Sequence, residues 1–79
     1  MIYAVATDSF MSGWGNAQGR SLVAIACQTN EDLDFALDKL YRREEMKRVR
    51  INLNLPRVGP GDALDVWTRE THPAWFPAS

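Results

Sequence analysis

The sequence predicts an α+β fold in which a four-stranded antiparallel sheet packs against one helix, as a two-layer sandwich in the order ββαββ. Two apolar runs come first, a segment with helical apolar spacing follows, and a strictly alternating segment comes after it. A chain of 79 residues is long enough for one domain. We assign residues 1–70 to that domain and residues 71–79 to a tail that contains prolines and aromatic residues.

The first two strands are predicted from residues 2–7 and 21–28, which are apolar and rich in strand-forming residues. Residues 8–20 between them contain three glycines, which predicts a long loop or a distorted hairpin. Both strands are apolar on both faces, so their sequence does not determine which side chains point inward.

The helix is predicted to start at Thr29 or Asn30, either of which can cap it, and acidic residues follow in the first turn, where the helix dipole favours them. Apolar residues then recur at the spacing of an amphipathic helix, at Leu33, Ala36, Leu37 and Leu40. Basic residues follow, and we expect the helix to end near Glu45.

The third strand is predicted from residues 47–55, which Pro56 ends. One set of alternating residues is expected to face the helix: Val49, Ile51, Leu53 and Leu55. The other set is expected to face water: Arg48, Arg50, Asn52 and Asn54. Residues 63–68 predict a fourth strand, with Leu64 and Val66 pointing inward and Asp65 and Trp67 outward.

Residues that carry chemistry are scarce in this sequence. It has one histidine, His72, and one cysteine, Cys27, which are too few for a zinc site of the usual ligand count. Cys27 lies in an apolar strand, where a buried, unreactive thiol is expected. The glycine-rich residues 13–20 lead into a strand, whereas a phosphate-binding loop leads into a helix. We therefore expect no catalytic residue, no metal and no cofactor, and a protein that is not an enzyme.

The single cysteine excludes an internal disulfide, which fits a reducing compartment. The sequence shows neither a signal peptide nor an apolar run long enough to cross a membrane. These features predict a soluble, cytoplasmic protein.

Charge is distributed unevenly along the chain. Residues 39–57 hold seven basic and two acidic side chains, a net charge of +5, and the other two basic and eight acidic residues give the rest −6. Arg48 and Arg50 would lie on the water-facing side of the third strand, and Trp67 would join them if the third and fourth strands pair. A tryptophan beside arginines is typical of a binding face.

Several aromatic residues lie outside the predicted core. Phe35 is about 200° around the helix from Leu33, which argues against its burial on the sheet. Trp75 and Phe76, in the tail, would either cover an edge of the core or contact a partner. The residues that we predict to bind a partner are Glu31, Asp32, Asp34, Phe35, Asp38, Trp14, Arg48, Arg50 and Trp67.

Residues 8–20, 44–51 and 54–57 resemble small proteins of bacteriophages and other mobile elements, which share a Ser-Gly-Trp-Gly loop, a strand, a helix and an Arg-x-Glu-Met segment. Among such proteins, the chain resembles the anti-CRISPR proteins, inhibitors of CRISPR–Cas systems. The resemblance implies an inhibitor of a type I system, with type I-C as the candidate subtype, that acts in the cytoplasm of a bacterial host.

This resemblance implies a mechanism without catalytic residues. The protein would dock on a Cas subunit of the Cascade complex and block target DNA from entering. Because Cascade subunits hold DNA in basic grooves, the inhibitor would use the acids of its helix: Glu31, Asp32, Asp34 and Asp38.

Two other functions stay open on the sequence. One is a small nucleic-acid-binding module that uses the basic face of the third strand, which requires Arg48, Arg50 and Trp67 to be exposed on one face. The other is a structural role in a phage particle. The net charge of −1 makes direct nucleic-acid binding the weaker of the binding hypotheses.

Overall fold

A computed structural model of the protein describes residues 1–8, 21–60 and 62–78. Its regular elements are β1 (Ile2–Asp8), β2 (Ser21–Cys27), α1 (Asn30–Tyr41), β3 (Met46–Asn52) and β4 (Ala63–Trp67), followed by one turn of 3-10 helix over Pro73–Trp75. The predicted α+β class and ββαββ order are confirmed. The predicted glycine-rich loop lies largely outside the described residues. The described part of the chain contains no helix with the length and apolar character needed to span a membrane.

The sheet is mixed, so the prediction of a purely antiparallel sheet is wrong. Its strand order is β3-β1-β2-β4; β1 is antiparallel to β2 and β3, whereas β4 runs parallel to β2. The reason lies in the connections. Helix α1 carries the chain across β1, and residues 53–62 then carry it past three strand spacings, about 14 Å, to the opposite edge. Strands β3 and β4 therefore do not pair.

The core lies between α1 and one face of the sheet. Leu33, Ala36 and Leu40 are buried there and Leu37 is partly buried, which confirms the predicted apolar stripe. They pack on residues from the two central strands: Ala4, Ala6, Val23, Ile25 and Cys27.

The C-terminal aromatic residues belong to this core. Trp75 and Phe76 are 7% and 5% exposed. Lys39 Nζ lies 5.4 Å and the Arg43 guanidinium carbon 4.9 Å from the centre of the Trp75 ring, so the end of α1 holds the indole by cation–π contacts. The Lys39 ammonium also donates a hydrogen bond to the carbonyl of Ala74. These residues cover an edge of the core.

The sheet face that points away from α1 is buried at its centre. Strand alternation places Val5, Thr7 and Ala24 on this face, opposite to their core-lining neighbours. All three are buried, Val5 and Ala24 completely.

Helix α1 ends at Tyr41, four residues before the predicted end. The residues beyond it have high helix propensity, but the chain turns there, with Arg43 N–H donating to the Leu40 carbonyl and Met46 N–H to the Arg43 carbonyl. Met46 must reach the core, where it is 7% exposed, at its position opposite Asp8 in β1. Burial of Met46 therefore overrides the local propensity.

Strand β3 contains a bulge that the alternating sequence does not reveal. Lys47 lies opposite Thr7 and Arg50 opposite Val5, so two residues of β3 face one residue of β1. Arg48, one of the two, has a φ of 55°, in the left-handed region that favours glycine.

The predicted inward side chains of β3 are only partly covered. Val49 packs on the core, and Ile51 is on the helix side, opposite Ala4, but 52% exposed because β3 is an edge strand. The strand ends at Asn52, and Leu53 and Leu55 beyond it are 73% and 44% exposed. Their predicted burial is wrong.

The prediction of which β4 side chains point toward the helix is also wrong. Parallel pairing places Trp67 beside Ile25, on the helix side, where it packs against the core. Val66 lies beside Ala24 on the other face and is 39% exposed.

We predict that Arg48→Val lowers the free energy of unfolding by about 1–2 kcal/mol, because a β-branched residue is strained at a φ of 55°. Arg48→Gly should change it by about 1 kcal/mol or less, since glycine adopts this conformation freely but loses more entropy on folding. Urea denaturation measures both values.

The neighbouring Lys47, also exposed on β3, provides the control. At this position valine should be the more stable replacement and glycine the less stable. The same order of valine and glycine at both positions would contradict a bulge at Arg48.

Candidate interaction surface

The start of α1 is built around a buried carboxylate. Thr29 caps the helix, its hydroxyl accepting a hydrogen bond of 3.1 Å from Asp32 N–H. The Asp32 side chain turns back and accepts from Gln28 N–H at 3.3 Å and from Arg69 Nη2 at 2.9 Å. This arrangement is a variant of the capping box, in which an aspartate replaces the usual glutamate or glutamine at the third helical position. The Asp32 side chain is 8% exposed, so it does not form part of an outer acidic face.

Arg69 extends this contact to the C-terminal residues. Its Nη1 donates a 2.8 Å hydrogen bond to the carbonyl of Pro77, and its guanidinium carbon lies 5.3 Å from the Phe76 ring centre. One side chain therefore joins the helix start, the end of β4 and the segment that carries the buried aromatic residues.

A surface cavity of about 330 Å³ lies beside this ion pair. Its lining is mixed and comes from β1, β2 and the residues next to them, from the start of α1, and from β4 and the C-terminal segment: Met1, Tyr3, Ala26, Gln28, Asp32, Val66, Thr68, Arg69, Glu70 and Phe76. The basic group in this lining, Arg69, has both terminal nitrogens engaged within the protein. In the described ranges no group of histidine, cysteine, aspartate and glutamate is placed to hold a metal ion.

The outer face of α1 keeps the other predicted acids together. Glu31, Asp34 and Asp38 are exposed, and their spacing of three and four residues places them on one side of the helix. Asp38 Oδ2 forms an ion pair of 3.2 Å with Arg42 Nη2, fully in solvent. Phe35 is half-buried, with Lys39 Nζ 5.6 Å from its ring centre.

Arg48 and Arg50 lie on β3, at one edge of the sheet, with the exposed Lys47. Arg50 Nη1 donates a 3.0 Å hydrogen bond to the carbonyl of Arg48, across the bulge. Within residues 1–8, 21–60 and 62–78, none of the three forms an ion pair. These positive charges are therefore not balanced by an acidic side chain of the described chain.

Trp67 does not join these arginines, because β4 is the opposite edge strand. Its ring stacks on that of His72, with centres 4.4 Å apart and an interplanar angle of 18°, and lies 4.9 Å from that of Trp75. The predicted face of Arg48, Arg50 and Trp67 therefore does not form. Trp14 lies outside the described residues.

Exposed aliphatic residues adjoin the basic side chains of β3. We define the β3 edge surface as Lys47, Arg48, Arg50, Ile51, Leu53 and Leu55. Its aliphatic members were not predicted as exposed, because alternation predicts which side of a strand a residue occupies and not whether the strand is at an edge. No signal in the sequence reveals that position.

Neither protein-family models, nor curated proteins, nor solved structures provide a match to this chain.

We predict that Asp32→Ala lowers the free energy of unfolding by about 2–3 kcal/mol, because it leaves Gln28 N–H and Arg69 without their acceptor. The neighbouring exposed acid gives a matched control: Glu31→Ala should change stability by about 0.5 kcal/mol or less. Urea denaturation measures the free energy of unfolding of both variants. Equal losses of stability would contradict the role of the Asp32 carboxylate as a buried hydrogen-bond acceptor.

We predict that Cys27 reacts with a thiol reagent at least about a hundredfold more slowly in the native protein than in urea, because reaction requires local opening. The thiol is fully buried and donates a 3.4 Å hydrogen bond to the Ile25 carbonyl. Burial raises its pKa, which disfavours the reactive thiolate. Absorbance of the released chromophore measures the rate, and rapid native labelling would contradict this burial.

Proposed function

We propose that this protein is a non-enzymatic binding protein that docks on a host protein through the β3 edge surface. The observation that supports this most strongly is the exposure of Ile51, Leu53 and Leu55, from 44% to 73%, next to basic side chains without acidic partners in the described chain. Exposed apolar groups with a charged rim are typical of protein interfaces, where arginine is enriched.

The proposal of no catalytic activity is supported by the state of the two most reactive residues. Cys27 is buried and its pKa is raised, so it is a poor nucleophile. His72 stacks on Trp67, and its Nδ1 lies 3.0 Å from the Thr71 hydroxyl, without a carboxylate partner in the described chain. Such an arrangement lacks the orienting carboxylate of a catalytic triad.

The resemblance to anti-CRISPR proteins provides the partner to test first. On that basis we propose that the protein binds a Cas subunit of a type I Cascade complex, type I-C first, in the cytoplasm of a bacterial host, and so blocks binding of target DNA. The acidic residues Glu31, Asp34 and Asp38 on α1 give this proposal a second candidate contact, suited to a basic DNA-binding groove.

The test is capture of purified type I-C Cascade by the immobilised protein, together with a DNA-binding competition. The variant with both Ile51→Glu and Leu53→Glu should bind at least about tenfold more weakly, because it introduces charges into an apolar contact. Val66→Glu on the opposite edge strand is the matched control and should bind normally.

A second pair of substitutions separates the two surfaces. If the acidic face of α1 makes the main contact, Asp34→Lys with Asp38→Lys will abolish capture and the double glutamate variant will not. Failure to capture Cascade, or equal capture by every variant, would overturn the proposed function.

Nucleic-acid binding is a second candidate, supported by the basic side chains of β3. It lacks the stacking residue that it required, because Trp67 lies at the opposite edge. A gel shift at low salt that disappears as salt increases, and that Arg48→Ala with Arg50→Ala removes, would favour this function over protein binding.

A further inference from the structure

The outer side of β3 presents a regular stretch of strand. After the bulge, Arg50, Ile51 and Asn52 pair in unbroken register with β1. On the other side, β3 has no neighbouring strand within the described part of the chain. An edge strand offers backbone N–H and carbonyl groups to any extended chain that can pair with it.

The two faces of this stretch differ in chemistry. Ile51 lies on the helix side, opposite Ala4, and half of its side chain is exposed. Arg50 lies on the other side, opposite Val5, and so does Lys47, opposite Thr7. A strand added next to β3 would therefore meet an aliphatic surface on one face and positive charge on the other.

The bulge limits where such a strand can pair. Arg48 has a left-handed backbone conformation, and its carbonyl accepts the hydrogen bond from Arg50 Nη1. Regular pairing with an added strand therefore starts after Arg48. The Arg50 guanidinium stays beside β3, because its hydrogen bond to the Arg48 carbonyl holds it there.

Charge argues against a second copy of this chain as the added strand. Strand β3 carries three basic and no acidic residues, so pairing β3 with β3 would place two positively charged strands side by side, which is unfavourable. The complementary occupant is acidic on the face of Arg50 and apolar on the face of Ile51.

We propose that β3 binds an extended segment of the partner protein in which acidic and apolar residues alternate, and that this segment adds to the sheet along residues 49–52. The inference rests on the proposed function, because it specifies how the β3 edge surface binds its partner. The partner's apolar side chains lie beside Ile51, and its carboxylates lie beside Arg50 and Lys47.

The experiment uses a short capped peptide of alternating valine and glutamate as the probe, and a peptide of alternating valine and lysine as its matched control. Isotope-labelled protein is titrated with each peptide, and amide shifts and hydrogen exchange are followed by NMR. We expect the glutamate peptide to slow exchange at residues 49–52 and to bind at least about tenfold more tightly than the lysine peptide. Arg50→Glu should reverse this preference.

Three results would overturn the inference: equal affinity for the two peptides, an unchanged preference in Arg50→Glu, or a response confined to β4 or the surface cavity. None of them affects the capture experiment. Loss of Cascade capture in the double glutamate variant without selective peptide binding would leave the β3 edge surface as the binding site and exclude strand addition. Failure of capture itself would count against the proposed function alone.

Discussion

The ion pair between Asp32 and Arg69 connects the parts of this small domain that the sequence places far apart. Its partners are 37 residues apart, and its carboxylate also receives the backbone N–H of Gln28. Of the two charges only the carboxylate is buried, since the Asp32 side chain is 8% and the Arg69 side chain 42% exposed, so loss of its partners would leave a desolvated charge. Its main effect is on geometry: it determines where α1 begins relative to β4 and where the C-terminal segment lies.

The position of the C-terminal segment affects which basic side chains have a partner within the protein. The sequence groups seven basic residues between positions 39 and 57. The structure divides them, because Lys39 and Arg43 pack on Trp75, while Arg42 pairs with Asp38. The basic side chains without an acidic or aromatic partner in the described chain are therefore those of β3, next to aliphatic side chains, and the exposed Arg57. This combination favours a protein partner over a bare nucleic-acid backbone.

Much of the local structure could be predicted from the sequence, because it depends on neighbouring residues. The cap at Thr29 and the stripe that includes Leu40 follow from helix geometry, and the strands follow from apolar patterning. The direction of β4 could not be predicted, since it depends on the path of residues 53–62. Nor could the bulge, because Arg48 is not a residue type that favours a positive φ. Of the residues predicted to bind a partner, Arg48 and Arg50 belong to the proposed β3 edge surface, whereas the burial of Asp32 depends on the distant Arg69 and could not be predicted.

The contribution of Trp75 and Phe76 to the core has a consequence for biosynthesis. Residues emerge from the ribosome in order, so β1, β2 and α1 are exposed before the aromatic side chains that cover them are available. Strand β3 must also find β1 across a large sequence separation, as Tyr3 opposite Asn52 shows. The apolar surface of the nascent chain therefore stays open to chaperones and proteases until residue 76 has emerged from the ribosome.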